Sequence, residues 1–207
     1  MISLSVSNLT KKYNRKTVLD RIEFEHRSGV LGISGSNGSG KSTLLKCLAA
    51  LLRPNSGTVE WKKDEEVLSM NELKEVIGYA ATYISLYEEL TVLENLSFLA
   101  EVSLQDVDGH FYQELLSRTD IESLSGKLYK SLSTGQQQRV KLASSLIRNP
   151  DVLFWDEPGS NLDTDGHALV KKIVDEQKEK GTLILLASND PNEIGLCDEV
   201  VNLAVSH

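Results

Sequence analysis

Residues 35–43 constrain the fold of this 207-residue chain more than any other segment. They read Gly-Ser-Asn-Gly-Ser-Gly-Lys-Ser-Thr and fit the pattern G-x-x-x-x-G-K-[ST]. An apolar run at 30–34 precedes them, and a stretch of helical character at 41–52 follows. Glycines in this setting let backbone N–H groups surround phosphate oxygens at a helix N-terminus, whose dipole favours anions. The segment therefore predicts a strand, a phosphate-binding loop and a helix in succession.

Each residue of this loop has an expected part in binding a nucleotide with Mg²⁺. Lys41 is expected to reach the outer phosphates, and the Ser42 hydroxyl to bind the metal ion. Thr43 is more consistent with a helix residue that packs behind the loop. The alternative is a glycine-rich turn with an exposed lysine, which the position between strand and helix disfavours. The predicted nucleotide contacts in the loop are Gly35, Ser36, Asn37, Gly38, Ser39, Gly40, Lys41, Ser42 and Thr43.

Two adjacent carboxylates complete the candidate site. Asp156 and Glu157 directly follow the short apolar run 152–155. A Mg²⁺-nucleotide site needs a carboxylate at the tip of a neighbouring strand, which makes Asp156 a candidate metal ligand. Glu157 is the candidate general base for an attacking water. The alternative for Asp156 is a surface turn acid before Pro158.

The order of the remaining patterns indicates the fold class. Two apolar strand-like runs, 152–155 and 182–187, flank a helical pattern at 165–180 that ends at Gly181. Fully apolar strands that alternate with helices predict a parallel sheet covered by helices. Residues 3–6, 18–24 and 58–61 also read as strands, whereas residues 90–148 have helical spacing. A mainly helical insertion is therefore expected before residue 150.

Composition and charge exclude several classes of protein. The chain has 22 Lys and Arg against 30 Asp and Glu, a formal net charge of −8. Since counterion release needs clustered basic residues, no nucleic-acid partner is expected. No segment reaches the roughly 18 apolar residues of a membrane helix, and the N-terminus lacks the features of a signal peptide. Cys47 and Cys197 have no metal-binding spacing and are expected to be buried apolar side chains.

Three further segments resemble the ATP-binding subunits of ABC transporters. The segment Leu-Ser-Thr-Gly-Gln at 132–136 resembles the family signature L-S-G-G-Q, with Thr134 in place of the first glycine. Residues 160–163, Ser-Asn-Leu-Asp, resemble the family's D-loop, and Tyr13 is placed like the aromatic residue that stacks on adenine. Taken alone, Ser133 could be an ordinary helix N-cap, and Tyr13 a packing aromatic at a strand end.

The resemblance implies both the architecture and the assembly. The expected fold is α/β, a P-loop NTPase core with a mostly parallel sheet covered by helices, an N-terminal antiparallel β subdomain and an inserted α-helical lobe. One domain would span 1–207, with a catalytic lobe at about 1–82 and 150–207 and a helical lobe at about 83–149. Because the signature would lie too far from Lys41 within one chain, two chains would bind two ATP·Mg²⁺ head to tail. The expected contacts from the second chain are Ser133, Thr134, Gly135, Gln136 and Asp163.

The resemblance also implies partners and a location. Separate transmembrane transporter subunits would dock around residues 82–90, and the dimer would be a homodimer or a heterodimer with another ATP-binding subunit. The chain is then expected in the cytoplasm, held peripherally on the inner face of the cell membrane by those subunits. The transported molecule does not follow from this sequence, because in this family the membrane subunits contact it.

Two positions depart from the family pattern. Thr82 stands where a metal-contacting glutamine is expected, and Asn189 where a histidine near the γ-phosphate is expected. A threonine hydroxyl can still touch a Mg²⁺-bound water, and the Asn189 amide can donate a hydrogen bond but cannot carry a proton. One hypothesis is a slow but working ATPase, which intact Lys41, Asp156 and Glu157 favour. The other is a degenerate half of a heterodimer, or a module in which ATP gates an interaction and hydrolysis hardly matters.

The subfamily is a finer prediction. The short length and the Asn-Asp-Pro sequence at 189–191 are most similar to the ATP-binding subunit of the cytochrome c maturation haem exporter. Subunits of multidrug or polysaccharide exporters would leave a similar pattern. Soluble ABC ATPases that act in DNA repair or on ribosomes generally carry two cassettes, a long coiled coil or metal-cluster domains, none of which this sequence contains.

Overall fold

The computed structural model describes residues 1–14, 16–103 and 107–203. The strands are β1 (Ile2–Tyr13), β2 (Lys16–His26), β3 (Val30–Ser34), β4 (Ser56–Lys63), β5 (Glu66–Val67), β6 (Ile77–Ala81), β7 (Val152–Asp156), β8 (Leu183–Ser188) and β9 (Glu199–Asn202). The helices are α1 (Lys41–Leu48), α2 (Met70–Val76), α3 (Val92–Val102), α4 (Gly109–Arg118), α5 (Thr134–Leu146), α6 (Thr164–Glu179) and α7 (Pro191–Ile194). Short 3₁₀ turns lie at Glu122–Leu124 and Tyr129–Ser131.

A parallel sheet with the strand order β6-β7-β8-β3-β9 forms the centre of the molecule. Every residue of β7 and β8 is buried, as the unbroken apolar runs predict. Successive side chains of a strand point to opposite faces, so β7 serves two apolar cores. Phe154 belongs to the core that contains α1, and Trp155 to the core that contains α3 and α5.

The second sheet is antiparallel, with the strand order β2-β1-β4-β5. Ile2, Leu4 and Val6 alternate with less buried serines along β1 and pack into the core around α1. The Trp61 side chain of β4 donates its indole N–H to the Leu48 carbonyl at 2.9 Å. This bond ties the antiparallel sheet to the end of the helix that follows the phosphate loop.

Helices α3, α4 and α5 lie between β6 and β7 in the chain, where the helical insertion is predicted. Thr91 and Ser133 begin α3 and α5 with reciprocal capping contacts to the third residue of each helix. Together the parallel sheet, the antiparallel sheet and these helices confirm the predicted α/β class. Across the described ranges, no helix combines the length and apolar character needed to cross a bilayer.

Some local predictions were wrong. Helix α1 ends at Leu48 rather than at residue 52, because Ala50 takes a left-handed backbone with φ 55° and the Leu51 and Leu52 amides turn back to the Lys46 carbonyl. Cys197 is only partly buried, unlike Cys47. Burial nevertheless raises the thiol pKa of both cysteines to about 11, which fits the predicted lack of thiol chemistry.

Candidate functional site

The carboxyl ends of β3, β7 and β8 meet at one edge of the parallel sheet, and the loop 35–40 lies there. Gly35 must be glycine, since a Cβ at this position would lie 2.4 Å from Ser39 Oγ and 2.8 Å from the Leu203 carbonyl oxygen. Helix α1 begins directly after the loop, and within the described chain no side chain caps its first turn. Backbone N–H groups at such an uncapped N-terminus suit an anion.

Lys41 is the buried cation of this edge, with only 6% of its surface exposed. Its Nζ donates a hydrogen bond to the Gly35 carbonyl oxygen at 2.8 Å and lies 3.3 Å from Glu157 Oε1. A buried ammonium needs such partners, because burial without them costs several kcal/mol. The sequence-predicted lysine and the candidate base therefore form an ion pair in the centre of the site.

Asp156 at the end of β7 is almost fully buried, with 2% of its surface exposed. Neither carboxylate oxygen has a hydrogen-bond partner among the described residues. Burial raises the Asp156 pKa, and the nearby Ser42 hydroxyl and the charges of Lys46 and Lys41 oppose that rise. Unsatisfied buried oxygens call for a compensating partner.

The donors at this position fit Mg²⁺. Asp156 offers two buried oxygens and Ser42 a hydroxyl, and hard cations prefer oxygen ligands. Magnesium is usually bound by one or two carboxylates together with substrate phosphates, so a larger protein cage is not required. The described residues contain no cluster of three or more His, Cys, Asp or Glu side chains suited to a metal.

Glu157 has an unusual backbone for a non-glycine residue, with φ 52°. Its amide donates to the Ala187 carbonyl of β8 at 2.8 Å, and its Oε2 accepts a hydrogen bond from Ser188 Oγ at 3.4 Å. These contacts hold the residue in a sparsely populated conformation, which is common where a side chain must be aimed into a site. The side chain is partly exposed and reaches the Lys41 ammonium.

The two positions that depart from the family pattern, Asn189 and Thr82, differ in their contacts. Asn189 donates a hydrogen bond from Nδ2 to Asn37 Oδ1 of the phosphate loop at 3.2 Å, so the structure brings it to the predicted site. Thr82 follows β6 and is exposed. Its carbonyl accepts a hydrogen bond from Lys141 Nζ at 2.7 Å, and no hydrogen bond of its hydroxyl is seen in the described part of the chain.

Tyr13 ends β1 with 48% of its surface exposed, and the Lys11 ammonium lies 5.4 Å from the centre of its ring. A flat, half-exposed ring of this kind offers a stacking surface. It is not buried as the packing alternative would require. Its stacking partner stays a prediction.

The signature segment lies in a separate pocket of about 500 Å³. The pocket is lined by Asp120, Ser123, Leu124, Ser133, Thr134, Gly135, Gln136, Arg139, Asn161, Leu162 and Asp163. The structure thus brings the predicted signature and D-loop residues together. None of the lining residues that the structure describes comes from the loop 35–43.

Ser133 and Gln136 satisfy each other in this pocket. Ser133 Oγ accepts from the Gln136 amide at 3.3 Å, and Gln136 Oε1 accepts from the Ser133 amide at 3.1 Å. The N-cap alternative for Ser133 is therefore confirmed, and it does not exclude a ligand contact. Asp163 caps α6 by accepting from the Gly166 amide at 2.9 Å; this bond lowers its pKa, as does neighbouring Arg139.

Two buried polar residues in the site do not figure in the sequence analysis. Gln138 of α5 donates from Nε2 to the Pro158 carbonyl at 3.0 Å, and Glu193 accepts from the Gly159 amide at 2.6 Å through Oε1. Both side chains hold the turn after Asp156 and Glu157. In sequence, Gln138 is one of three consecutive glutamines and Glu193 follows an Asn, so neither stands out from a solvent-exposed residue.

Comparisons with known proteins agree with this geometry. The family model for ABC transporters matches residues 19–160. An uncharacterized ABC transporter ATP-binding protein of Bacillus subtilis, YybJ, is 31% identical over 99% of this chain and 93% of its own length. The arginine transport ATP-binding protein ArtM of the same species is 34% identical over 96% of this chain and 85% of its own length.

A solved structure extends the comparison to three dimensions. The dimeric structure of the bacterial ABC transporter cassette MJ0796 superposes with a TM-score of 0.84 and 26% identity, and covers 97% of this chain and 94% of that chain. The likeness therefore extends over nearly the whole chain. This chain belongs to the ABC transporter family, as one of its ATP-binding subunits.

Proposed function

We propose that this chain binds and hydrolyses ATP with Mg²⁺, and that two such subunits close on the nucleotide to drive transport by separate membrane subunits. The observation that carries the proposal is the ion pair between buried Lys41 and partly exposed Glu157, beside an Asp156 carboxylate that has no hydrogen-bond partner among the described residues. A cation, a candidate base and a candidate metal ligand lie together where the loop 35–40 ends and the uncapped helix α1 begins.

The Lys41–Glu157 ion pair suggests that a bound phosphate would replace Glu157 as the partner of Lys41. Among the described residues, the Lys41 ammonium has one anionic partner, the Glu157 carboxylate at 3.3 Å. A γ-phosphate at the loop would attract the same ammonium, because phosphate is the anion for which this loop type is suited. Glu157 would then be released from Lys41 and become available for a water molecule.

The proposed reaction uses these groups in fixed roles. Glu157 accepts a proton from water while the water oxygen bonds to the γ-phosphorus, and the bond from that phosphorus to the β,γ-bridging oxygen breaks. Lys41 and the loop amides stabilise the negative charge that develops, and ADP and phosphate leave. When bound between Asp156 and Ser42, Mg²⁺ would supply charge neutralisation on the β- and γ-phosphate oxygens.

The separation of the signature pocket from the phosphate loop supports the proposed head-to-tail dimer. Ser133, Thr134, Gly135 and Gln136 lie with Asp163 in one pocket, where a second subunit's nucleotide could be completed. In the solved relatives, the MJ0796 cassette is also described as a dimer in a post-hydrolysis state bound to ADP and Pi, at 26% identity to this chain. Whether the second subunit is a copy of this chain belongs to the same proposal, and we favour a homodimer.

The finer parts of the proposal concern the membrane partners, the subfamily, the lobe boundaries and the location. The segment 82–90 carries exposed Tyr83 and Tyr87, which suits a docking surface for membrane subunits. The resemblance to the haem-exporter subunit, the lobe boundaries at about 82 and 150, and a peripheral position on the inner face of the membrane stay predictions. Affinity purification from native membranes, with identification of the membrane protein that copurifies, tests the partner and the location.

A second candidate function has one observation in its favour. Asn189 is hydrogen-bonded to Asn37 and carries no charge, so binding of ATP would survive better than its hydrolysis. In that case ATP would gate an interaction and turnover would be marginal. The intact Lys41, Asp156 and Glu157 favour hydrolysis.

ATPase assays on the purified chain test the main proposal. Glu157→Gln keeps the size of the side chain and removes its basicity, so we expect kcat to fall on the order of 100- to 1,000-fold while ATP binding is retained. Glu179→Gln, an exposed glutamate at the end of α6, is the matched control and should leave kcat unchanged. An unaltered kcat in Glu157→Gln would remove Glu157 as the base, and a wild-type chain without turnover would favour the gating module.

A further inference from the structure

Two tyrosine hydroxyls lie beside the edge of the parallel sheet that carries the loop 35–40, which we call the phosphate edge. They belong to the segment in which the family pattern has a glutamine. Tyr79, in the middle of β6, is paired in register with Phe154 of β7 and stacks on it with ring centres 5.9 Å apart and an interplanar angle of 22°. The Tyr79 hydroxyl is hydrogen-bonded to the Tyr83 hydroxyl, with 2.5 Å between the oxygens. Tyr83 is thereby fixed to the sheet although 47% of its surface is exposed.

The backbone folds Tyr83 towards the end of β7. Ala81, the last residue of β6, is opposite Asp156 in the parallel register. The Ile84 amide donates to the Ala81 carbonyl at 3.2 Å, which closes a turn around Thr82 and Tyr83. The chain therefore turns at the level of the Asp156 carboxylate rather than continuing away from it.

A lysine of helix α1 also contacts the Tyr83 ring. The Lys46 ammonium lies 3.8 Å from the centre of that ring, a close cation–π contact. Lys46 follows Ser42 by one helical turn, so the two residues share a face of α1. The candidate metal ligand Ser42 and the ring of Tyr83 are thus linked through a single turn of helix.

Electrostatic coupling agrees with this placement. Burial raises the pKa of Tyr83 to about 12, the hydrogen bond to Tyr79 opposes the rise, and the negative charge of Asp156 adds to it. The same charge also raises the pKa of Tyr79, after the effects of burial and of Tyr83. Both hydroxyls therefore lie within electrostatic reach of the Asp156 carboxylate and stay protonated at neutral pH.

Thr82 does not share these contacts. Its side chain is exposed, and the segment is anchored at this residue through its carbonyl, which accepts from Lys141 Nζ. A threonine side chain is also shorter than a glutamine by two heavy atoms along the chain. Position 82 therefore anchors the segment through its backbone, and position 83 carries a hydroxyl within electrostatic reach of Asp156.

We propose that Tyr83, rather than Thr82, is the positioning residue through which the segment after β6 acts on the Mg²⁺ site. The hydrogen bond to Tyr79 holds its hydroxyl, and Lys46 contacts its ring. When a metal–nucleotide complex binds, this hydroxyl would orient the Asp156 carboxylate and the water around it. The inference rests on the proposed function of the site and deepens it.

The test measures metal dependence of binding rather than turnover. A fluorescent, non-hydrolysable ATP analogue is titrated with MgCl₂, and separately bound in EDTA, for wild type and for Tyr83→Phe. We expect Tyr83→Phe, which removes one oxygen, to raise the Mg²⁺ concentration for half-maximal binding about tenfold, the scale on which groups behind a metal ligand act. Binding in EDTA should stay within about twofold, because the loop 35–43 is untouched.

Three variants sharpen the result. Tyr79→Phe should shift the Mg²⁺ requirement in the same direction by a smaller factor, because it only supports Tyr83. Tyr112→Phe removes a hydroxyl on α4, away from this edge, and should match wild type. Thr82→Ala tests the competing position and should shift the requirement less than Tyr83→Phe does. Circular dichroism establishes that each variant is folded.

Two outcomes in the variants would overturn the proposal. A larger shift in Mg²⁺ requirement for Thr82→Ala than for Tyr83→Phe would assign the role to Thr82. An equal loss of binding with and without metal in Tyr83→Phe would show that the hydroxyl supports the nucleotide loop instead. If wild type itself binds the analogue in neither condition, the proposed function fails as well, and the two failures are distinguishable by this measurement.

Discussion

The phosphate loop and the signature pocket would both meet a nucleotide, yet they are built in different ways. The phosphate edge is formed by buried strand ends. In the part of the chain that the structure describes, it leaves the N-terminus of α1 uncapped and both Asp156 oxygens without a hydrogen-bond partner. In the signature pocket, Ser133 and Gln136 cap each other, and Arg139 pairs with Asp163. The first region is prepared for a ligand by itself. The second is satisfied internally and would gain contacts only when a second subunit arrives.

Substitution of Lys41 should have the largest effect of all, and it should act on ATP binding at the phosphate loop. Lys41→Ala removes the buried cation and its charge-assisted hydrogen bonds, so we expect ATP affinity to fall on the order of a hundredfold. Equilibrium binding of a fluorescent ATP analogue measures the change. Lys62→Ala, at a partly exposed lysine paired with Glu60, is the control. Tight binding by Lys41→Ala would contradict the assignment of the phosphate loop.

Substitution in the signature pocket should separate the two regions. A Cβ at Gly135 would lie 2.8 Å from the Asn161 carbonyl oxygen, so Gly135→Ala must displace the D-loop segment. We expect ATP-induced dimerisation to weaken about tenfold, since part of the anion-binding surface shifts, while ATP affinity of the single chain stays unchanged. Analytical ultracentrifugation in the Glu157→Gln background measures dimerisation.

The nearby Ser131 provides the control for that experiment. Its hydroxyl donates to the Leu128 carbonyl outside the pocket, so Ser131→Ala should dimerise like the parent. A Gly135→Ala chain that also binds ATP poorly as a monomer would break the comparison. The two regions would then be one site within a single subunit.

Introduction of a histidine at position 189 should have a smaller effect on turnover. Asn189 already reaches the phosphate loop, and an imidazole there could add a stronger donor and a positive charge near the γ-phosphate. We expect Asn189→His to raise kcat about three- to tenfold, a modest part of what such groups supply in other sites. Asn192→His places the same side chain on a neighbouring exposed position as control. An unaltered kcat in Asn189→His would mean that another group supplies this function.

Substitution of Glu193 should have the smallest effect, and this effect concerns the pH dependence of stability. Burial raises its pKa above the ordinary 4.5; the Ser188 hydroxyl and Gly159 amide oppose the rise, and the charges of Asp190 and Glu157 add to it. A carboxyl group with a raised pKa in the folded state makes the protein less stable as pH rises from about 4.5 through that raised value. Glu193→Gln cannot ionise and should lack this loss.

Thermal unfolding at pH 4 and pH 7.5 measures the difference. Glu193→Gln should gain stability relative to wild type at the higher pH, by a few degrees in Tm, and show little difference at the lower pH. Asp175→Asn, an exposed acid paired with Lys171, is the control. A gap of equal size at both pH values would show that ionisation of Glu193 is not its cause.

The regular parts of the site were predictable because local pattern and tertiary position agree there. The apolar run before Asp156 is a fully buried strand, and the glycine-rich loop lies between β3 and α1 as predicted. The end of α1 was not predictable, since Ala49, Ala50 and Leu51 favour a helix by propensity. Tertiary contacts override that preference, because Trp61 binds the Leu48 carbonyl and the following amides turn back.

Contacts between distant segments were the hardest to predict. The position of Tyr83 depends on the register of β6 against β7 and on the Lys46 side chain of α1. Gln138 and Glu193 are polar residues that become buried only because they face the turn after Glu157. Sequence spacing contains none of these relations, since each joins elements that are separated by many residues.

The hydrogen bond between Asn189 and Asn37 has a consequence for how the protein responds to acidity. Both partners are amides, which neither gain nor lose a proton near neutral pH, whereas a histidine would titrate at about 6.5. The link between the residue that follows β8 and the phosphate loop therefore keeps the same strength when the surroundings become more acidic. In this subunit the contact is independent of pH and does not respond to protonation.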